Sequence, residues 1–120
     1  MRESVKPKVE FEHFTELDLR IGHVISAPLA DGTRTPSRIL TIEAGALGIF
    51  VSVGQFALLK EEELVGRKVV FVANFHPRKI GKFTSEALVL GTPHPDSPAG
   101  QSQALPLWAD MRSAPGDKVF

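Results

Sequence analysis

The stretch that decides the fold is Val69-Val70-Phe71-Val72-Ala73-Asn74-Phe75-His76-Pro77-Arg78-Lys79-Ile80, continuing through Gly81-Lys82-Phe83-Thr84-Ser85-Glu86 to Leu88-Val89-Leu90. Its first five residues are apolar without alternation, the pattern of a strand buried on both faces. At Asn74 the run turns polar, and His76-Pro77 takes the chain out of the sheet, because proline has no N–H for a ladder. Arg78, Lys79 and Lys82 then bracket Ile80-Gly81, and Phe83 leads into a second strand through Leu90. Three cations on a short connection between two strands form a surface that a rigid scaffold can present to a ligand.

Upstream, Leu17, Leu19 and Ile21 alternate with Asp18 and Arg20, which predicts a half-buried strand. The period breaks at Gly22, where a bulge is expected. Pro28 to Pro36 reads as a loop turning at Asp31-Gly32, with Arg34 on it and Arg38 just beyond. Ile39–Glu43 and Ile49–Val53, joined by a glycine-containing link, predict a hairpin. Phe56, Leu59 and Leu64 predict a short helix over Gln55–Val65, with Gly66 ending it. Before the first strand, Met1–Lys8 reads as a mobile arm. Val9, Phe11 and His13 read as a short edge strand or extended segment. Thr15 reads as the cap of a single turn that lays Phe14 and Leu17 on the sheet edge.

Downstream, Gly91 to Gly100 is too rich in proline and glycine for regular structure and reads as an exposed loop. Ala104, Leu105, Leu107 and Trp108 form a short apolar segment. Pro115-Gly116-Asp117 then turns into Lys118-Val119-Phe120, which predicts a tied-down end with a small added hairpin.

The 120 residues fit one domain. With no cysteine, disulfides, thiolate metal sites and cysteine nucleophiles are excluded. No apolar leader opens the sequence, and no run approaches the ~20 apolar residues that span a bilayer. The reading is a soluble cytoplasmic protein without membrane insertion. Fourteen basic residues balance fourteen acidic ones. Phosphate binders are usually basic overall, so any anionic ligand must be held by the local cluster.

Arginine suits carboxylate or phosphate because its planar fork donates two hydrogen bonds at once. Phe75 and Phe83 flank the cations and can stack on bases or receive apolar side chains. The Asn74 amide, at the end of an apolar strand, must bond to backbone, ligand or water. His13, His23, His76 and His94 lack metal-ligand spacing, no phosphate-loop pattern occurs, and Ser52 and Ser85 lack a nucleophile context. This predicts a binding module with no catalysis, cofactor or metal. Val69 to Ala73 is apolar on both faces, so Val70 and Val72 need a cover. The Gln55–Val65 helix, the segment with Leu105, Leu107 and Trp108, or a symmetric partner can supply it, and a partner would make Val70, Val72, Leu107 and Trp108 the candidate dimer surface.

Asn74-Phe75-His76-Pro77-Arg78-Lys79-Ile80, Ser85-Glu86, Leu88-Val89-Leu90-Gly91 and the opening Leu17-Asp18-Leu19-Arg20-Ile21-Gly22 together resemble the motifs of the tRNA-binding-domain family. Within it the chain is most similar to CsaA-type export chaperones, over about Phe14 to Phe120. The resemblance implies an all-β fold, a five-stranded OB-fold barrel with a short helix between strands three and four and small N- and C-terminal additions. Residues 9–91 would form the barrel, 1–8 the arm, and 92–120 the loop and C-terminal addition. It also implies a homodimer that binds unfolded or pre-export polypeptides. Arg34, Arg38, Asn74, Phe75, Arg78, Lys79, Lys82, Phe83, Ser85 and Glu86 are then the expected ligand contacts. The alternative it carries is a tRNA-binding accessory that recognises tRNA shape and backbone. Between strands one and two the chain lacks the His-Pro-type segment common in synthetase-appended members, which favours the chaperone-like reading.

Overall fold

A long bent strand sits at the centre of the molecule. In the computed structural model, which describes residues 3–120, β1 (Leu19–Ser26) pairs on two sides, antiparallel to both partners. Its first half, Leu19 to His23, pairs with β5 (Lys68–Val72). Its second half, from His23, pairs with β3 (Ser37–Glu43). The register shifts between Val24 and Ser26, so the bulge falls at Ile25 and not at Gly22. Gly22 has a different task. A Cβ there would overlap the Ile42 side chain and lie 2.9 Å from Phe71 Cε1, so only glycine lets these two core side chains cross β1.

The hairpin expected after β3 is present. β3 turns through a 3-10 segment at Gly45–Leu47 into β4 (Ile49–Gly54), and a short β2 (Leu29–Ala30) covers the start of β3. β8 (Leu88–Val89) pairs with β5, completing a six-stranded sheet. No ladder joins β4 to β8. The two ends of the sheet meet instead through Ser85 and Glu86, described with the site below. The described residues are thus mostly short strands with few helical turns, as the all-β reading expects.

Two helices are shorter or earlier than the sequence predicts. The expected helix over Gln55–Val65 is only α2 (Glu61–Leu64), preceded by α1 (Phe11–Thr15) near the N-terminus. Phe56 N–H bonds back to the Gly54 carbonyl at 2.9 Å, a bend no α-helix contains. That bend drops Phe56 and Leu59 into the core from irregular backbone. Glu63 then caps α2 by accepting the Lys60 N–H at 2.8 Å. Gly66 follows at φ 91°, in the left-handed conformation expected of it.

The N-terminal reading also changes. Val9 to His13 is no strand: Phe11 to Thr15 is one helical turn, and Thr15 closes it by donating its hydroxyl to the Glu12 carbonyl at 2.9 Å. Of the expected arm, Met1 and Arg2 lie outside the described residues, while 3–8 are exposed and irregular.

Beyond the sheet, Gly91–Pro93 is not loop but β9, paired with β10 (Ala104–Pro106). The small hairpin expected about Pro115-Gly116-Asp117 does not form among the described residues; the added pairing lies here instead. The end itself is tied to β1: Gly116 N–H reaches the Ile21 carbonyl at 2.7 Å and Val119 N–H the Leu19 carbonyl at 2.9 Å.

The core holds Val24, Leu40, Ile42, Leu64, Val69 and Phe71, with the Phe50 and Phe71 rings 5.1 Å apart at 52°. Each such side chain contributes roughly 1.5–3 kcal/mol on burial. No helix among the described residues is long and apolar enough to cross a membrane.

Candidate ligand-binding cleft

The connection after β5 is itself a hairpin. β6 (Arg78–Ile80) and β7 (Phe83–Ser85) pair across the two-residue turn Gly81-Lys82, so the three cations ride on a small sheet of their own. Its tip rests on the loop after β2. A Cβ on Gly81, which sits at φ 60°, would lie 3.2 Å from the Gly32 carbonyl oxygen. This contact brings Arg34 to the same side as Arg78 and Lys79.

The resulting cleft, about 590 Å³, is lined by Arg34, Arg78, Lys79 and Ile80 on its walls and by Ser52, Val53, Gly54 and Leu88 beneath. A second hollow of about 370 Å³ continues from it, lined by Phe75, His76, Pro77, Ala87 and Leu88 together with the polar Ser85 and Glu86. Val53, Arg78 and Leu88 belong to both. Phe75 is 47% exposed, and Leu88 is also exposed. Among the described residues no carboxylate comes within 4.0 Å of Arg34, Arg78, Lys79 or Lys82, the ion pairs being Arg20–Asp18 and Arg112–Asp110. An apolar cup beside unpaired cations can hold a ligand that carries both an apolar group and an anion.

Lys82 leans over the Phe83 ring, its Nζ 5.6 Å from the centroid, and Phe83 is half-buried. These two residues stand outside both hollows. Sequence reasoning overlooked Leu88, whose signal is the alternation with buried Val89: β8 turns Val89 inward and Leu88 toward the cleft.

Several expected ligand contacts are occupied by the fold. Arg38 donates from Nε to the Leu59 carbonyl at 3.0 Å and from Nη1 to the Ala27 carbonyl at 2.8 Å, so its fork ties loops together. Ser85 is buried, its Oγ accepting the Val53 N–H at 3.0 Å and donating to the Ala87 carbonyl at 3.2 Å. Glu86 Oε1 accepts the Val51 N–H at 3.1 Å while the Glu86 N–H reaches the Val51 carbonyl at 2.9 Å. Side chains thus replace a strand ladder where β4 meets the hairpin. Asn74 spends both ends of its amide on the chain: Nδ2 donates to the Glu16 carbonyl and Oδ1 accepts the Asp18 N–H, each at 2.8 Å. These four side chains thus hold the fold together through hydrogen bonds of good geometry, while Ser85 and Glu86 also line the second hollow.

The candidate dimer surface changes for a similar reason. Val72 is 2% exposed and packed within its own chain, so it has no surface to offer a partner; Val70 is half-buried. Leu107 and Trp108 are exposed, but Trp108 also carries the Arg67 guanidinium 4.9 Å above its ring. Exposed apolar side chains instead gather where α1 meets the C-terminal segment: Phe11, Phe14, Leu17 and Phe120, with half-buried Val119, line one open groove of about 540 Å³. Among the described residues no group of three or more His, Cys, Asp or Glu side chains comes together as a metal site would require.

The comparisons with known proteins agree with this architecture. The family described as putative tRNA binding domain matches residues 19–117. The methionine–tRNA ligase of Thiobacillus denitrificans is 36% identical over 94% of this chain, and the chain spans 12–17% of the length of this and two other ligases it matches. Among solved structures, the chaperone CsaA of Bacillus anthracis superposes at TM-score 0.80 with 36% identity, covering 95% of this chain and 100% of that one. The CsaA chaperone of Picrophilus torridus superposes at 0.81 with 29% identity, covering 94% and 100%. With the family match extending from the start of β1 to the segment that ties the C-terminus back to it, the chain belongs to the putative tRNA-binding-domain family.

Proposed function

We propose that this chain is a CsaA-like chaperone, a homodimer that binds unfolded or pre-export polypeptide in the cytoplasm without catalysis. The observation that carries the reading is Arg78, shared between the apolar hollow beside Phe75 and the cleft of unpaired cations. A polypeptide segment with apolar and acidic side chains supplies both kinds of group; a nucleic-acid backbone uses chiefly the second. The formal net charge of zero supports the same choice, because phosphate binding gains from an overall basic protein. So does the likeness to two chaperone chains over their whole length.

A second reading is a tRNA-binding accessory, favoured by the family match and by the cations on the β6–β7 hairpin. Here Arg34, Arg78 and Lys79 would meet phosphates and Phe75 a base.

The deciding experiment titrates the protein against an unfolded export substrate and against bulk tRNA at several salt concentrations. The chaperone reading expects suppressed aggregation of the substrate and weak RNA binding. Tight tRNA binding with a steep salt slope, and no effect on aggregation, would replace it with the accessory reading.

A further inference from the structure

We propose that the outer edge of β6 takes up an extended, acid-bearing polypeptide as a third strand of the β6–β7 sheet. This rests on the polypeptide reading above and specifies how the bound chain is held.

The first support is position. β6 and β7 form a two-stranded sheet, and the β7 side is the one fastened to β4, through Ser85 Oγ and the Val53 N–H. β6 is therefore the outer strand, and all three of its residues line the cleft.

The second is hydrogen-bond phase. The hairpin turns through two residues, with Ile80 opposite Phe83. In such a hairpin the closing pair exchanges the ladder bonds, and bonded and non-bonded pairs then alternate. Ile80 and Arg78 thus face β7, while Lys79 points its N–H and C=O to the open side. Neither group of Lys79 takes part in any backbone bond outside its own hairpin among the described residues. An edge with an open donor and acceptor is a template for another strand.

The third is charge. Arg78, Lys79 and, across the cleft, Arg34 have no carboxylate partner. A second copy of β6 would bring the same charges and be repelled, whereas glutamate or aspartate on an incoming strand meets opposite charge. Main-chain bonding also tolerates many sequences, as a binder of unfolded chains requires.

The test uses an end-blocked nine-residue peptide of alternating glutamate and leucine. Two derivatives are N-methylated at every glutamate or at every leucine. An added strand donates to the protein from alternate residues only. One methylated form is expected to lose affinity on the order of tenfold, and the other much less. With the parent peptide bound, amide exchange at Lys79 should slow by a similar factor. Equal affinity for all three peptides, equal loss in both derivatives, or unchanged exchange at Lys79 overturns strand addition and leaves the polypeptide reading standing. No binding of the parent peptide, or binding of bulk tRNA alone, overturns both.

Discussion

Asn74 Oδ1 accepts the backbone N–H of Asp18 at 2.8 Å, which fastens the residue before Phe75 to the residue before β1. The Ala73 N–H reaches the Asp18 carbonyl at 2.8 Å, so the link is double. The amide that ends the decisive apolar run is therefore a brace between the end of β5 and the start of β1, and its removal should act on stability. Asn74→Ala is expected to cost about 1–2 kcal/mol and to lower the melting temperature by several degrees. Affinity for polypeptide at a temperature where both proteins are folded should stay nearly constant. A large affinity loss with an unchanged melting curve would make Asn74 a ligand contact instead.

Replacing Arg78 and Lys79 together by alanine should leave the melting temperature within about a degree, since exposed unpaired cations contribute little to folding. Binding of acidic polypeptide should fall on the order of tenfold, and adding Arg34→Ala should weaken it further. If tRNA is the ligand, the salt slope should shrink by roughly 0.7–0.9 for each phosphate contact removed. Unchanged binding of both ligands would move the site elsewhere.

Gly22→Ala should destabilise by about 1–3 kcal/mol or more, because its methyl would enter space held by Ile42 and Phe71. Urea unfolding measures the loss, and Ile42→Val in the same chain should recover part of it by vacating volume. A neutral Gly22→Ala would mean that the core at this crossing is loosely packed.

The Asp110 carboxyl is held at about 2, below its ordinary 3.8, chiefly by the Arg112 side chain and then by the Arg112 backbone N–H. A depressed folded value stabilises the native state above the ordinary value, and that contribution is lost as pH falls from there toward about 2. The pair is fully exposed, so the effect on the melting curve should be slight. Carboxyl NMR should show a midpoint near 2 in the parent and near the ordinary value in Arg112→Ala. Identical midpoints would mean that the pair does not persist in solution.

Light scattering at micromolar concentration is expected to give twice the chain mass of 13.1 kDa. Phe14→Glu, on the apolar groove between α1 and the C-terminus, should return it to the single mass with the fold retained. Dimers that survive this change but yield to charge at Leu107 would place the interface on the other exposed apolar segment.

The longer strands were legible from their apolar positions. Leu19 and Ile21 alternate with Arg20, and the Ile39–Glu43 and Ile49–Val53 runs needed only a short link between them. The Gln55–Val65 helix failed because Phe56 and Leu59 reach the core from bends, and spacing alone does not separate bends from a helix. Gly91-Thr92-Pro93 became a strand because β10 offers a partner 13 residues later, which no local signal announces. In the cleft, Arg34, Phe75, Arg78 and Lys79, expected from residue type as ligand contacts, line the two hollows. Residue type could not distinguish Arg38, Asn74, Ser85 and Glu86, whose side chains answer backbone groups far away in sequence, from residues waiting for a ligand.

The C-terminal tie also sets an order of events. The β1 backbone bonds to Gly116, Asp117 and Val119, nearly a hundred residues downstream, while its other partners come earlier in the chain. During synthesis one flank of β1 therefore stays open after the core strands exist, closing only when residues 116–119 arrive. Loss of residues 116–119 would leave this flank open for good, and a protein expected to hold other unfinished chains would then resemble its own clients.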